Sequence, residues 1–128
     1  MAQNRYKDWL KQAENDLVWA IDSMKAGHYS GACFVSQQVS EKALKALAYY
    51  RGADLVKSHS IHEIARELGI NGELLSAAAR LDQYYITPRY PDAVPAGAPF
   101  ELFSQEQSLE AINYAKLFIH AVKKETNL

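Results

Sequence analysis

The sequence holds a single cysteine, Cys33, and no apolar run approaching the roughly eighteen residues that a membrane-crossing helix needs. A lone cysteine closes no intramolecular disulfide and supplies no paired-cysteine metal site. Neither sign of charge prevails, because 14 Lys and Arg stand against 15 Asp and Glu for a formal net charge of −1. A protein that grips duplex nucleic acid through a bulk positive field is therefore disfavoured, and only a local basic patch is left open. Glycine-rich phosphate loops, nucleophile elbows and the H-E-x-x-H zinc helix are missing too. The opening MAQNRYKDWLKQ has no apolar stretch of the kind a secretory leader carries, so cytoplasmic residence is the expectation.

Proline is scarce and confined: Pro88, Pro91, Pro95 and Pro99 all fall in one segment, and the glycines sit in gaps between helix-length blocks. With 48% hydrophobic and 23% charged residues, the 128-residue chain reads as one globular all-α domain over 1–128 rather than a disordered segment. In the first block Tyr6, Trp9, Leu10, Ala13, Leu17, Ala20, Ile21 and Met24 recur at three- and four-residue spacing, which makes an amphipathic helix. The second block, about 30–51, is apolar over more than half its circumference and should be the central, most buried helix. Its remaining arc holds Gln37, Gln38, Glu41, Lys42 and Lys45. A third helix opens at Ser60, with Glu63 in the capping-box position, and ends at Gly69. A fourth starts near Asn71 as N-cap and stops before Pro88; the last begins at Ser104 with Gln107 three residues on. Short glycine turns favour antiparallel neighbours, so the spacing predicts an up-and-down antiparallel bundle of about five helices. A long Pro-rich loop over 87–103, without secondary structure and pinned by Tyr90, Phe100 and Phe103, precedes the last helix.

Around that loop the residues first suggest chemistry. An arginine fork holds phosphate bidentately while an adjacent ring stacks on a base, so Arg89 with Tyr90 is a candidate nucleotide contact. The competing reading has Arg89 bonding Asp82 or free carbonyls at a helix end. Lys42 and Lys45 are secondary phosphate candidates, or else part of a solvated face with Glu41 paired to Lys45 four residues on. His59 and His62 could share a metal on one helical turn, but with no second ligand cluster they read as helix-start residues. Cys33, between Ala32 and Phe34, reads as a small core hydrophobe. No catalytic residue, metal site or cofactor is assigned from these patterns.

Several strings taken in order carry a resemblance: Asp8-Trp9 and Asp16-Leu17, Tyr29-x-x-Ala32-Cys33-Phe34, and Gln37-Gln38-x-x-Glu41-Lys42-Ala43-Leu44-Lys45-Ala46-Leu47. His59-Ser60-Ile61 and Leu81-Asp82-x-Tyr84-Tyr85 follow, leading into Arg89-Tyr90-Pro91-Asp92. Over about residues 6 to 122 the chain resembles the HEPN domain. The resemblance implies a helical bundle that forms a homodimer and, in small prokaryotic members, works beside a minimal nucleotidyltransferase in a toxin–antitoxin pair. It also implies, for many members, metal-independent RNA cleavage by an Arg followed after four to six residues by a His. Counting from Arg89, those positions hold Val94, Pro95 and Ala96, none of which moves a proton near neutral pH. Arg51 and His59, with seven residues between them, are the nearest substitute.

The expectation is therefore a non-catalytic HEPN domain that binds a nucleotide or RNA through Arg89 and Tyr90, aided by Lys42 and Lys45, with a nucleotidyltransferase partner. Two alternatives stand beside it. One is a metal-independent ribonuclease toxin using His59 or His62; the other is a homodimeric interaction module whose aromatic loop docks on protein.

Overall fold

The computed structural model describes residues 4–128 and contains six α-helices and, among the described residues, no strand. They are α1 (Tyr6–Lys25), α2 (Tyr29–Tyr50), α3 (Ile61–Glu67), α4 (Gly72–Asp82), α5 (Pro99–Leu102) and α6 (Gln105–Thr126). The apolar stripe of α1 and the wide apolar arc of α2 close on each other, because α1 stops at Ala26 and the chain reverses within three residues. Gly27 makes that reversal in the left-handed region (φ 87°), where a side chain would be strained. The His28 amide then closes back on the Ser23 carbonyl at 2.8 Å, giving the helix a Schellman end.

Helix α2 is the centre of the molecule and packs against every other helix. Its small residues Ala32, Ala43 and Ala46 are fully buried and let α1 and α6 approach closely, while Leu10, Leu44 and Phe118 fill the space between the three. Helix α6 runs in the same direction as α2, since the guanidinium of Arg51 at the end of α2 holds both carboxylate oxygens of Glu125 near the end of α6, at 2.6 and 2.7 Å. The α3–α4 pair and the following loop return the chain to the end where α2 begins, so the bundle is antiparallel between α1 and α2 and parallel between α2 and α6. No helix among the described residues is long and apolar enough to cross a membrane.

Three local expectations are corrected. Helix α4 ends at Asp82, not near Pro88, and the chain continues as turns closed by Tyr84 N–H to Leu81 O (2.9 Å) and Arg89 N–H to Ile86 O (3.0 Å). The 87–103 loop is not without secondary structure: it contains a 3₁₀ turn, Pro91–Ala93, and α5. Of its three expected anchors only Phe103 packs inward, edge-on to Tyr84 at 5.8 Å. Tyr90 and Phe100 are 51% and 75% exposed, because Pro99, not Phe100, is the residue that α5 buries.

The capping box at Ser104 and Gln107 forms in both directions. At Ser60 only half of it does: Ser60 Oγ accepts the Glu63 amide, while Glu63 bonds the Ser58 hydroxyl, which in turn accepts the Ser60 amide.

The Arg51 bridge draws the Glu125 carboxyl below the usual carboxylate range, through the guanidinium hydrogen bonds first. A carboxyl lowered on folding stabilises the protein above its unfolded pKa, and that contribution is lost as pH falls through the lower folded value. Both side chains are more than a third exposed, so the effect is small. Replacing Glu125→Gln should cost less than about 1 kcal/mol in denaturant unfolding at pH 7. The gap between wild type and variant should close as pH falls below the carboxylate range.

Candidate functional site

One side of α2 carries polar residues at helical spacing, and the structure covers that side instead of leaving it to solvent. Gln37, Glu41 and Lys45 are buried, which corrects the expectation of a solvated face. The reason lies on the flanks: α1 lays Trp9, Gln12 and Asp16 along one edge of the stripe, and the 58–60 segment lies along the other. Burying charged groups is tolerated only when each finds a partner. Glu41 does so twice through Oε2, with Lys45 Nζ at 3.0 Å and His59 Nδ1 at 3.2 Å. Gln37 donates to the His59 carbonyl at 3.2 Å, tying the same segment down. The Glu41–Lys45 pair expected from the i,i+4 spacing is present.

Asp82 builds the opposite wall. Its carboxylate accepts from the amides of Ile61 (2.6 Å) and His62 (3.0 Å) and from the Ser60 hydroxyl (2.8 Å). An anionic cap of this kind suits the unpaired amides and partial positive charge of a helix start. It also joins the end of α4 to the beginning of α3, so His59, one residue before the cap, is brought against Tyr85, three residues after Asp82. The two rings stack at 5.2 Å with 16° between their planes.

Arg89 completes the cluster. Its guanidinium carbon lies 4.3 Å from the Phe34 ring, 4.9 Å from Tyr85 and 5.1 Å from Tyr90. Nε donates to the Tyr85 carbonyl at 2.8 Å, the helix-end bond of the competing reading, while Asp82 is occupied elsewhere. Among the described residues, no carboxylate forms an ion pair with Arg89, in contrast to Arg5, Arg51 and Arg80. The fork is thus oriented by a carbonyl and three rings, and no hydrogen bond among the described residues engages its two terminal nitrogens.

The lysines are placed differently from Arg89. Lys42 is held by Asp16, whose other oxygen accepts from Gln12, and Lys45 by Glu41 with its ammonium 5.7 Å from the Trp9 ring. Both lie on the same stripe of α2 as Phe34, and their charges are already matched. His62 offers its backbone amide to Asp82, and among the described residues no three His, Cys, Asp or Glu side chains gather closely enough to hold a metal ion. Arg51 is engaged by Glu125 and by the Leu68 carbonyl, away from His59. Cys33 is fully buried, and burial, with Glu110's charge second, pushes its thiol up to about 12, so no thiolate nucleophile exists near neutral pH. Sequence reasoning did not find Trp9 and Phe34 as site builders, and it offered Asp82 as a partner of Arg89 rather than as the cap of α3. The only signal for the stripe was the 37, 41, 45 spacing.

A comparison with protein-family models matches residues 6–125 to the HEPN domain. The chain belongs to the HEPN family. Solved HEPN-like structures share the fold closely: TT1696 from Thermus thermophilus is 37% identical, with a TM-score of 0.90 over 95% of this chain and 98% of that one. ST0689, an archaeal HEPN homologue, is 36% identical with a TM-score of 0.80, covering 96% of this chain and 98% of its own. A HEPN domain protein of Thermotoga maritima is 31% identical with a TM-score of 0.74, over 94% and 98%. Among curated proteins, one from Methanocaldococcus jannaschii, named "Putative toxin MJ1304", is 27% identical over 91% of this chain and 85% of its own length.

The Asp82 cap should be the energetic hinge of this HEPN site. Replacing Asp82→Ala leaves three donors at the start of α3 without their charged acceptor and should cost ~2 kcal/mol in chemical denaturation. An unchanged midpoint would show that water or Ser60 substitutes for it.

Proposed function

We propose that this HEPN domain binds the phosphate of a nucleotide or RNA at Arg89, and serves as the ligand-binding member of a toxin-like pair with a nucleotidyltransferase chain. The observation that carries the reading is the state of Arg89: a guanidinium seated on Phe34, Tyr85 and Tyr90, oriented through Nε, and without a carboxylate partner among the described ion pairs. Tyr90, half exposed beside it, offers a ring face to a base. Lys42 and Lys45, matched by Asp16 and Glu41, take second place as ligand contacts. The M. jannaschii relative named as a toxin supports the toxin-like role. Exposed Phe100 and Leu102 beside the ligand loop support a protein partner or a second copy of the chain.

Isothermal titration with ATP and GTP tests this directly. A charge-assisted fork on phosphate is worth ~1.5–3 kcal/mol, so Arg89→Ala should weaken binding by about tenfold or more. Equal affinity in wild type and variant would sink the Arg89 assignment.

A second reading is favoured by one contact, that of Glu41 with His59 Nδ1. A carboxylate on Nδ1 fixes the tautomer that leaves Nε2 as acceptor, and His59 is more than half exposed on the ring that also touches Arg89. That is the arrangement of a general base beside an anion-binding arginine. The binding reading expects RNA to stay intact during incubation with purified protein in a metal chelator. Cleavage that disappears in His59→Ala would replace it with metal-independent ribonuclease action.

A further inference from the structure

The turn between α3 and α4 holds a reactive pair that the Arg89 cluster does not use. Asn71 stands at the start of α4, yet its side chain makes no capping hydrogen bond, and Gly72 follows it. Both residues are exposed. Gly72 has a φ of 67° and open space where a Cβ would stand. Its amide is one of those that a helix start leaves without an intrahelical partner, and no carbonyl among the described residues accepts from it.

An asparagine is attacked by the backbone nitrogen of the next residue when its side-chain amide is unbonded, that nitrogen is not held in a hydrogen bond, and the next residue has no side chain to obstruct ring closure. The other asparagines each fail. Asn15 and Asn113 lie inside α1 and α6, where the amide after each is tied into the helix, and Asp16 and Tyr114 follow them. Asn4 donates its side-chain amide to the Tyr49 carbonyl at 2.7 Å and precedes Arg5. Asn127 precedes Leu128, whose amide bonds the Lys123 carbonyl at 3.1 Å. Among the described residues Asn71 alone meets all three conditions.

We propose that Asn71 is a site of spontaneous deamidation in the folded protein, giving chiefly isoaspartate. The Gly72 nitrogen gives up its proton to hydroxide and attacks Asn71 Cγ; a C–N bond forms, the Cγ–Nδ2 bond breaks, and ammonia departs to leave a five-membered succinimide. Water then opens the ring. Attack on the former backbone carbonyl, the more electrophilic of the two, routes the chain through Cγ as isoaspartate, whereas attack at Cγ restores the ordinary chain as aspartate. Either product adds one negative charge to a chain of formal charge −1. The two differ in what they do to the fold. An aspartate suits a helix start. Isoaspartate inserts one more backbone carbon between Ile70 and Leu74, both packed on the core, so the first turn of α4 must shift. Asp82 lies at the other end of α4, about 16 Å along its axis, so the Arg89 platform keeps its cap and stands or falls separately.

The test incubates the full folded chain at mildly alkaline pH and follows it by ion exchange and by mass spectrometry of tryptic peptides. Cleavage after Arg66 and Arg80 releases Glu67–Arg80, in which Asn71 is the single asparagine. That peptide should gain the mass difference between an amide and a carboxyl and resolve into two isomers, isoaspartate exceeding aspartate, at a rate of the same order as the free synthetic peptide 67–80. Asn4, Asn15, Asn113 and Asn127 should stay intact over the same period. The Asn71→Ser variant, which keeps a residue suited to a helix start, should stop forming the more acidic species. Sucrose, which favours the native state, should leave the rate unchanged. An Asn71 that survives in the folded chain long after the free peptide has converted would overturn the proposal. So would a rate that falls in sucrose, which places the reaction in the unfolded fraction, or acidic species that still accumulate in Asn71→Ser.

Discussion

The candidate site depends on one carboxylate. Asp82 lies where α4 ends and reaches across to the first amides of α3, so two segments distant in sequence are fixed at one point. His59 precedes that point and Tyr85 and Arg89 follow it. A cap on a seven-residue helix would ordinarily be a local matter of stability. Here it also sets the separation between an imidazole, an aromatic platform and a guanidinium, and neither the α3 segment nor the 83–90 turns contain enough regular structure to do so themselves.

The second constraint is the charge balance of α2. A helix at the centre of a bundle should be apolar all round, yet this one carries Gln37, Glu41 and Lys45 into the interior. The polar groups are tolerated because they satisfy one another and the flanking segments, and a set so matched fixes how α1 and the 58–60 segment lie on α2. The same matching separates the cations by role. Lys42 and Lys45 meet carboxylates; Arg89 meets a carbonyl and aromatic faces and, among the described residues, no carboxylate. An overall charge near zero is compatible with the proposed phosphate site, because that site calls on one arginine without a carboxylate partner rather than on a basic surface.

Much of the fold was legible. Periodicity and capping signals located the five helical blocks, the Ser104 and Gln107 box, the Glu41–Lys45 pair and the burial of Cys33, because each depends on residues within a turn or two of one another. The site was legible only in outline. Arg89 and Tyr90 stand together in sequence, but their platform comes from Phe34, more than fifty residues earlier. Burial of the α2 stripe follows from where Trp9 and Asp16 of α1 come to lie, which is set by the packing angle of two helices. The end of α4 was misplaced because Asp82 looks like any surface residue until its acceptors are seen to serve another helix. Tyr90 and Phe100 were expected inside because aromatic residues in a loop usually anchor it; here Pro99 and Phe103 perform that task and leave both rings outside.

The central claim, that Arg89 is the anion-binding group of a prebuilt platform, is tested most directly by following the arginine Nε–Hε resonances by NMR during titration with a nucleotide phosphate. The Arg89 proton is held against the Tyr85 carbonyl and should give a distinct signal, assigned by its loss in Arg89→Lys. The account predicts that this signal shifts saturably with ligand while that of Arg51, bound by Glu125, stays in place. A shift confined to Arg51, Arg66 or Arg80, with Arg89 unmoved, would contradict it.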